Sequence, residues 1–400
     1  MSILALQNQQ NLALSAYIDS VKPLAQGLAW GKVMLFGEYA VLNGGPALLT
    51  ATPQQAKAYY LDLSHLTQIL QIDSSLKLGI EESGVSPSQI EYVICAFNWG
   101  SSILYKNKQG DLKCLGESFA FIERCLHEAG APKGIYLIDT QEFGLSIHGQ
   151  WQKMGIGSSG ASSAALCSLL SQLPASLLKH TQEKPYERFL FAQAQHKAVQ
   201  GGLGSGADVA CSTFGGLIEF KLHDSKQTVI NPLSTVLPRT WGLWKGGSFS
   251  TAQSLSQLKL WKQEHPKSYQ KHISNLTQVS QQALNFLQNP SRSSDSQKRW
   301  CELIQSGAQA MRLFSHDIAL PLWTNTHEQW SQLIKDFDGV IKSTGAGGDD
   351  LTLFAAHDLH AEQRCLELIK AHCAKNNEPL FIFPLSPLIQ DQESLVLQAP

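Results

Sequence analysis

The sequence lacks any long run of lysine or arginine. Its 400 residues contain 31 Lys and Arg against 33 Asp and Glu, for a formal net charge of −2. Proteins that bind an extended nucleic-acid surface concentrate basic residues along one face or segment. The charge distribution therefore argues against a nucleic-acid-binding protein, while a local cationic pocket for a small anionic substrate remains compatible with it.

Paired cysteines, a membrane-length apolar run and a signal peptide are also missing. The eight cysteines are scattered, with no CxxC pair, which favours reduced, mostly buried thiols over a disulfide framework or a zinc site. No stretch of about 18 residues is apolar enough to span a bilayer. Polar residues 7–11 stand where a signal peptide would be apolar. We expect a cytoplasmic protein that does not contact the membrane.

The length of the chain permits two domains with substantial cores. Residues 1–22 are a polar extension whose apolar side chains recur at helical spacing, so we expect a short helix that packs on the body. Two prolines in residues 231–238 precede a fresh strand, and we place a domain boundary there. The predicted N-terminal domain is residues 23–235, and the predicted C-terminal domain is residues 236–400.

Apolar periodicity and turn residues predict a mixed α+β chain. Strands are predicted at 33–36, 47–50, 102–105, 112–115, 135–138, 217–220, 241–244, 339–341, 351–355 and 380–383. Helices are predicted at 119–127, 189–199, 255–264, 272–287, 298–314 and 326–337.

Residues 155–164 read GIGSSGASSA and pass into an apolar stripe at helical spacing. Small residues let the backbone approach an anion closely, and the helix N-terminus adds about half a positive charge. This pattern predicts a phosphate-binding turn. The alternative is a flexible Gly/Ser cap with no ligand.

Two common nucleotide motifs do not fit this segment. A Walker loop places Lys and then Ser or Thr after its last glycine, whereas Ala161 and Ser162 follow Gly160. A dinucleotide fingerprint requires a preceding buried strand and an acidic residue about 20 residues downstream. Residues 151–153 are not an apolar strand, and the next acidic residue is Glu183. The sequence argues against both motifs.

Three further segments combine glycine with charged residues. They are Gly31–Val41 (GKVMLFGEYAV) with Lys32 and Glu38, Gly201–Gly216 (GGLGSGADVACSTFGG) with Asp208, and Lys342–Asp350 (KSTGAGGDD). Each alone is compatible with a structural turn that bears a solvated charge. Together with residues 155–164, and in this order, they resemble the GHMP kinases, the superfamily of galactokinase, homoserine kinase, mevalonate kinase and phosphomevalonate kinase. The resemblance covers about residues 27–355.

Within the superfamily the sequence matches the phosphomevalonate kinases best. Residues 196–215 resemble that family's His, Gln-Gly, Gly-Ser-Gly, Asp-Val-Ala and Tyr-Gly signature. Residues 244–253 (WKGGSFSTAQ) resemble its Trp-Thr-Gly-x-x-Ala-Ser-Thr segment. The residues that depart from the family pattern are Trp30, Phe214, Lys245, Phe249 and Asp349.

The resemblance implies an ATP site in which the middle loop wraps the triphosphate and a serine helps to hold Mg²⁺. Phosphoryl transfer depends mostly on positioning and charge neutralisation, so it requires amide donors, a metal and cations. By the same resemblance Lys32 is the cation near the transferring phosphate, and Ser159 is the metal ligand. The residues implied to bind ATP are Gly155, Gly157, Ser158, Ser159, Gly160, Ala161, Gly345 and Gly347.

Asp208 matches the aspartate that acts as a base toward a hydroxyl in the mevalonate kinase branch. A phosphate acceptor is already ionised at pH 7 and needs no base. We therefore predict that Asp208 orients Lys32, the metal or the acceptor, and acts as a base only if the acceptor is an alcohol. A Mg²⁺-binding Glu of mevalonate kinases is replaced by Lys197, which favours the phosphate acceptor.

The resemblance also implies a set of residues that contact the acceptor. They are Glu38, Ser205, Gly206, Ser250, Thr251, Gly348 and Asp350. Asp349 stands where glycine is usual, and an extra carboxylate repels phosphates unless a metal or cation intervenes. We expect His196 to be a packing residue.

The sequence therefore predicts a two-domain α+β GHMP kinase with its active site in the inter-domain cleft. We expect it to transfer the γ-phosphoryl of ATP, with Mg²⁺, to 5-phosphomevalonate, which forms 5-diphosphomevalonate in the mevalonate pathway of isoprenoid synthesis. One alternative is a mevalonate kinase or another GHMP kinase that acts on a hydroxyl. The other is a non-catalytic GHMP-like binding protein. The expected partner is a small molecule, and the expected assembly is a monomer or homodimer.

Overall fold

The computed structural model describes residues 3–147, 150–179, 184–199, 204–222, 228–247, 251–289, 295–385 and 395–397. Its helices there are α1 (Ile3–Ser20), α2 (Leu66–Ile72), α3 (Ser74–Ser83), α4 (Ala120–Ala129), α5 (Ser158–Leu170), α6 (Pro185–Val199), α7 (Ala207–Phe214), α8 (Thr251–Glu264), α9 (Pro266–Gln288), α10 (Ser296–Ile318), α11 (Asn325–Ile334) and α12 (Leu359–Lys375). Across these residues, no helix has the length and apolar character needed to cross a membrane.

Strands occur in both the N-terminal and the C-terminal parts of the described chain. They are β1 (Ala25–Phe36), β2 (Ala47–Leu61), β3 (Ile90–Ala96), β4 (Gly100–Lys106), β5 (Leu112–Gly116), β6 (Gly134–Asp139), β7 (Gly144–Ile147), β8 (Gln150–Lys153), β9 (Leu217–Leu222), β10 (Thr228–Pro232), β11 (Trp241–Trp244), β12 (Gly339–Ser343), β13 (Thr352–Ala356), β14 (Leu380–Pro384) and β15 (Leu395–Leu397). The mixture confirms the predicted α+β class.

The chain forms two compact units, each assembled from separate chain segments. The first contains residues 1–31, 54–151 and 158–202, and the second contains residues 32–53, 152–157 and 203–400. The domain boundary that we predict near residue 235 instead divides the chain into two consecutive parts, and it stays a prediction.

In the first unit, strands pair in the order β2–β6–β3–β4–β5. Strands β3 and β6 are parallel, and β3 is buried along its full length. The β4–β5 pair is the antiparallel hairpin that the sequence predicted. Leu14 and Ile18 of α1 belong to the same buried cluster as Val93 and Leu137. The N-terminal extension is therefore a packed helix, as expected, because its apolar stripe is covered by this core.

The second unit contains an antiparallel sheet with the strand order β12–β13–β11–β14–β15. Helices α11 and α12 bury apolar side chains against it, among them Trp330 and Ile369. A second cluster joins α9 and α10 through residues such as Ile273 and Phe314. In this unit β9 also pairs with β10 and with the first residues of β2.

Sequence periodicity located most of the longer elements but missed α2, α3, α7, α12, β3, β7, β8, β10 and β15. The region of residues 201–216 was interpreted as a glycine loop, yet Ala207–Phe214 form α7. The turn that was predicted within residues 155–164 is also shorter in the structure, because α5 begins at Ser158. Small residues are compatible with both turns and helices, so composition alone did not set these boundaries.

The eight cysteines are all unpaired, and every one except Cys114 is buried. This agrees with the expectation of buried free thiols. Among the described residues, no group of three or more His, Cys, Asp or Glu side chains is arranged to hold a metal ion.

Candidate active site

The turn that precedes α5 is held by the end of β1, within the second unit. The backbone N–H of Lys32 donates to the carbonyl of Ile156 over 2.8 Å. Gly157 has a φ of +81°, and a Cβ there would lie 2.8 Å from Cε of Lys32. Because the lysine side chain runs directly across Gly157, this position accepts only glycine without rearrangement.

Gly155, at the other end of the turn, packs against a carboxylate from the end of the C-terminal motif. A Cβ on Gly155 would lie 2.5 Å from Cγ of Asp350. The predicted ATP-binding turn and this predicted acceptor residue are therefore in direct contact. Their proximity places a negative charge beside the turn, and cations are needed nearby if phosphates are to bind there.

Lys153 supplies such a cation, and the sequence analysis gave it no role. Burial lowers the pKa of Lys153, the carboxylates of Asp350 and Asp208 act to raise it, and the charge of Lys32 acts to lower it. Two lysines and two aspartates therefore share one region of the second unit. Among the described residues, neither lysine makes a direct ion pair with a carboxylate. The sequence offered one signal for this role, because Lys153 is a lysine just before a turn that resembles a phosphate-binding turn.

Asp208 lies in the first turn of α7 and is half-buried. One helical turn later, burial raises the pKa of Cys211 to about 12, with Lys32 acting to lower it and Asp208 acting to raise it. The start of α7 therefore lies within electrostatic range of Lys32. Gly206 precedes the helix with a φ of +83°, and Oγ of Ser205 accepts a hydrogen bond from the N–H of Ala207 over 3.2 Å.

The first turn of α5, in the first unit, contains the predicted ATP contacts Ser158, Ser159, Gly160 and Ala161. The first N–H groups of a helix have no intrahelical acceptor, and together with the helix dipole they favour an anion. Ser158 and Ala161 are buried, whereas Ser159 is exposed and its Oγ lies 2.9 Å from Nε2 of His196. His196 itself is 5% exposed and packs edge-on to Phe121. This first turn offers backbone amides and one accessible hydroxyl.

Residues 344–351, here called the C-terminal glycine loop, are held by hydrogen bonds within the second unit. The hydroxyl of Tyr39 donates to the carbonyl of Ala346 over 2.6 Å, and the N–H of Gly348 donates to the carbonyl of Pro321 over 2.9 Å. These contacts fix the backbone of the loop to two other segments of the unit.

Three glycines of this loop adopt positive φ, but their surroundings differ. The φ values are +60° at Gly345, +86° at Gly347 and +72° at Gly348. A Cβ on Gly347 would lie 2.5 Å from Cα of Leu322, whereas a Cβ on Gly345 would meet open space. Gly347 is therefore required for packing, and the backbone of Gly345 is open to a ligand.

Glu38, which the resemblance assigned to the acceptor, is 1% exposed and forms an ion pair with the equally buried Lys342. The ammonium of Lys342 also donates to the carbonyl of Ser343 over 2.9 Å and lies 5.5 Å from the centre of the Phe36 ring. Burial raises the pKa of Glu38 and lowers that of Lys342, and the attraction between them opposes both shifts. The contact joins the end of β1 to β12; an acceptor contact by Glu38 stays a prediction.

Two further predicted acceptor residues are Ser250 and Thr251. Ser250 is outside the described residues, and Thr251 is the first residue of α8 without a described side chain. Just before them, the indole N–H of Trp244 donates to the carbonyl of Gly247 over 2.8 Å. Lys245 forms an ion pair with Glu378 at 3.3 Å.

Comparison with known proteins identifies the fold. No protein-family model matches the chain. The chain is 24% identical over 367 residues to the phosphomevalonate kinase of Streptomyces sp. (strain CL190), which covers 84% of this chain and 92% of that protein. The Streptococcus pneumoniae phosphomevalonate kinase in complex with phosphomevalonate and AMPPNP matches with a TM-score of 0.62 and 16% identity, over 86% of this chain and 96% of that one.

The L. major mevalonate kinase in complex with R-mevalonate matches with a TM-score of 0.60 and 19% identity, over 91% of this chain and 97% of that one. The chain therefore has the fold of the GHMP kinases. The resemblance inferred from the ordered glycine motifs is confirmed at the level of fold.

Proposed function

We propose that the protein is an ATP-dependent small-molecule kinase of the mevalonate pathway and that its acceptor is 5-phosphomevalonate. The single observation that carries the proposal is the grouping of Lys32 and Lys153 with Asp208 and Asp350 beside the Gly155 turn. The similarity to enzymes named phosphomevalonate kinase and mevalonate kinase supports the same reaction class.

The residues present fit a nucleotide triphosphate. Gly155 and Gly157 pack so closely on Asp350 and Lys32 that only hydrogen atoms occupy the Cβ directions. The turn therefore has no side chains at these two positions, and the first amides of α5, which have no intrahelical acceptor, follow it directly in the chain. Anionic phosphates are suited to such amides when cations stand beside them.

Ser159 is the proposed protein ligand for Mg²⁺. Magnesium in kinase sites commonly takes one or two protein oxygens and completes its shell with phosphates and water. An exposed hydroxyl in the first turn of α5 fits that requirement. When bound, the metal supplies charge neutralisation at the phosphates.

The protein residues act mainly by position and charge. An oxygen of the acceptor forms a bond to the γ-phosphorus of ATP while the bond from that phosphorus to the β–γ bridging oxygen breaks and ADP leaves. Lys32 stabilises the negative charge on the transferring group. Lys153 is the second cation that a doubly charged phosphate acceptor requires, which favours a phosphomonoester over a neutral alcohol.

Asp208 has an orienting role in this scheme. A phosphate oxygen carries no proton that must be removed before it attacks. The carboxylate lies within electrostatic range of Lys153, and we assign it the role of orienting the lysines before the substrates arrive. Two other activities remain as competing outcomes: a kinase that acts on a hydroxyl, and nucleotide binding without turnover.

The acceptor is identified by a direct assay. Purified protein with ATP and Mg²⁺ is incubated with 5-phosphomevalonate or with mevalonate, ADP release is followed, and the product is assigned by phosphorus NMR. We expect a diphosphate product from 5-phosphomevalonate. Turnover of mevalonate alone would assign the chain to the hydroxyl kinases, and ATP binding without any turnover would support the non-catalytic alternative.

Asp208→Asn is expected to lower kcat by about 100-fold and to change either KM by less than about threefold. The amide keeps the shape of the side chain but removes the charge that opposes the lysines. Steady-state kinetics measures both effects. Asp336→Asn, at an exposed position of the same unit, is the matched control and should match the unmodified protein. An unchanged kcat in Asp208→Asn would restrict this residue to a structural role.

A further inference from the structure

Asp349 occupies a position in the C-terminal glycine loop where an unpaired carboxylate would oppose phosphate binding. The structure gives this carboxylate a donor: the hydroxyl of Thr324 donates to Oδ1 over 2.6 Å. Thr324 immediately precedes α11, so the bond joins the loop to the start of that helix. A carboxylate can only accept hydrogen bonds, so the proton of this contact comes from threonine.

The contact continues through a buried histidine. Oγ1 of Thr324 lies 2.8 Å from Nδ1 of His327, and Nε2 of the same ring lies 3.1 Å from Oγ1 of Thr352. Thr352 is the first residue of β13, just after the loop. His327 is 0% exposed, and burial lowers its pKa to about 4. The ring is therefore neutral near pH 7, and it contacts both the threonine that holds Asp349 and the residue that follows the loop.

Asp349 also packs against a second segment, the turn that follows β11. A Cβ on Gly247 would lie 2.5 Å from Cβ of Asp349 and 2.7 Å from its carbonyl oxygen. The carbonyl of Gly247 is held in turn by the indole of Trp244, which is 1% exposed. Only glycine at 247 allows this approach, because both the side chain and the carbonyl group of Asp349 lie against it.

The next residue in the chain connects these contacts to the candidate active site. Asp350 follows Asp349 directly and lies against Gly155, where it acts on the pKa of Lys153. A shift of Asp349 therefore moves Asp350 through a single peptide unit. The same shift displaces the turn of residues 244–247, which leads into the segment that resembles an acceptor-binding segment.

We propose that Asp349 is a positioning residue: its hydrogen bond to Thr324 and its contact with Gly247 set the C-terminal glycine loop and, through Asp350, the candidate active site. The inference deepens the proposed kinase function and rests on it for the catalytic readout. Asp349, which departs from the family's glycine pattern, thereby links three segments that are remote in sequence.

A thermal double-mutant cycle tests the contact without any substrate. Gly247→Ala in the full chain should lower Tm by about 5 °C, because the new methyl group meets Cβ of Asp349. In the double variant Gly247→Ala with Asp349→Gly, the contact with Cβ is gone and only the contact with the backbone carbonyl of residue 349 remains, so the Tm loss should be smaller than the sum of the two single losses. Additive losses in the double variant would overturn the proposed contact.

Kinetics with 5-phosphomevalonate and ATP tests the positioning role. Asp349→Gly and Thr324→Val each remove the hydrogen bond and should lower kcat/KM for the acceptor by about tenfold. Asp349→Asn and Thr324→Ser keep an acceptor and a donor, so they should stay within about threefold of the unmodified protein. Equal losses in Asp349→Asn and Asp349→Gly, or no loss in Asp349→Gly, would overturn the inference.

The two experiments separate this inference from the proposed function. If the unmodified protein does not turn over 5-phosphomevalonate, the proposed acceptor is wrong, and the thermal cycle still decides whether Asp349 couples to Gly247. If turnover occurs and the conservative variants fail to rescue it, the kinase assignment stands and the role of Asp349 is wrong.

Discussion

Replacing Lys32 by Met should reduce kcat by about 1,000-fold while Tm changes by only a few degrees. Methionine is similar in length and removes the charge without adding bulk. The side chain passes within van der Waals distance of Gly157, so a comparable apolar chain can occupy the same path. The loss therefore reports the missing cation at the transferring phosphate.

Steady-state kinetics and thermal unfolding of the same preparation measure the two halves of this prediction. Lys335→Met, at an exposed position of the same unit, is the matched control and should keep full activity. Retention of more than about a tenth of the original kcat by Lys32→Met would mean that another group supplies the charge. Lys153 would then be the first candidate, because it lies in the same electrostatic cluster.

Lys342→Met should lower the free energy of unfolding by about 3–5 kcal/mol. The substitution leaves the carboxylate of Glu38 buried at 1% exposure without its partner. The ionised carboxylate then has no opposite charge to offset its desolvation, and protonating it at neutral pH carries its own free-energy cost. The reverse variant, Glu38→Gln, leaves the ammonium of Lys342 buried and should be destabilising for the same reason.

The double variant Glu38→Gln with Lys342→Met separates the ion pair from the packing. Both charges are gone, so the loss should fall to about 1–2 kcal/mol, well below the sum of the single losses. Urea unfolding of all four proteins measures the cycle. Additive single losses would contradict the direct coupling that the ion pair requires.

The ion pair is also connected to the candidate active site through the residues beside Glu38. Glu38 follows β1, the strand that contains Lys32, and Tyr39 donates to the C-terminal glycine loop. The pair therefore holds the end of β1 against β12, near the C-terminal glycine loop.

Sequence patterns predicted the elements that depend on short-range information. The hairpin of β4 and β5, the strand β11 and the long helices α9 and α10 follow from alternation, turn residues and helical periodicity. The mixed fold class and the GHMP resemblance rest on the order of glycine motifs, which a single chain displays without any structure.

The same patterns were least informative where residues are small. Segments rich in Gly, Ala and Ser were interpreted as loops at residues 155–164 and 201–216, although α5 and α7 occupy part of each. Their helices are stabilised by burial in the fold, as at Ala161 and Ala210, which are 0% exposed. A helix propensity that is neither strongly favourable nor strongly unfavourable is easily overridden by such packing.

The sequence by itself determined the fold class, the reaction class that its glycine motifs resemble, and the predicted roles of Lys32, Ser159 and Asp208. Only the tertiary structure placed Lys153 beside Lys32 and paired Glu38 with Lys342. It also changed the role expected of Asp349, because the carboxylate that was expected to repel phosphate accepts a hydrogen bond from Thr324. The physical reason is distance along the chain: periodicity reports which face of an element is buried, whereas charge pairing depends on which faces meet.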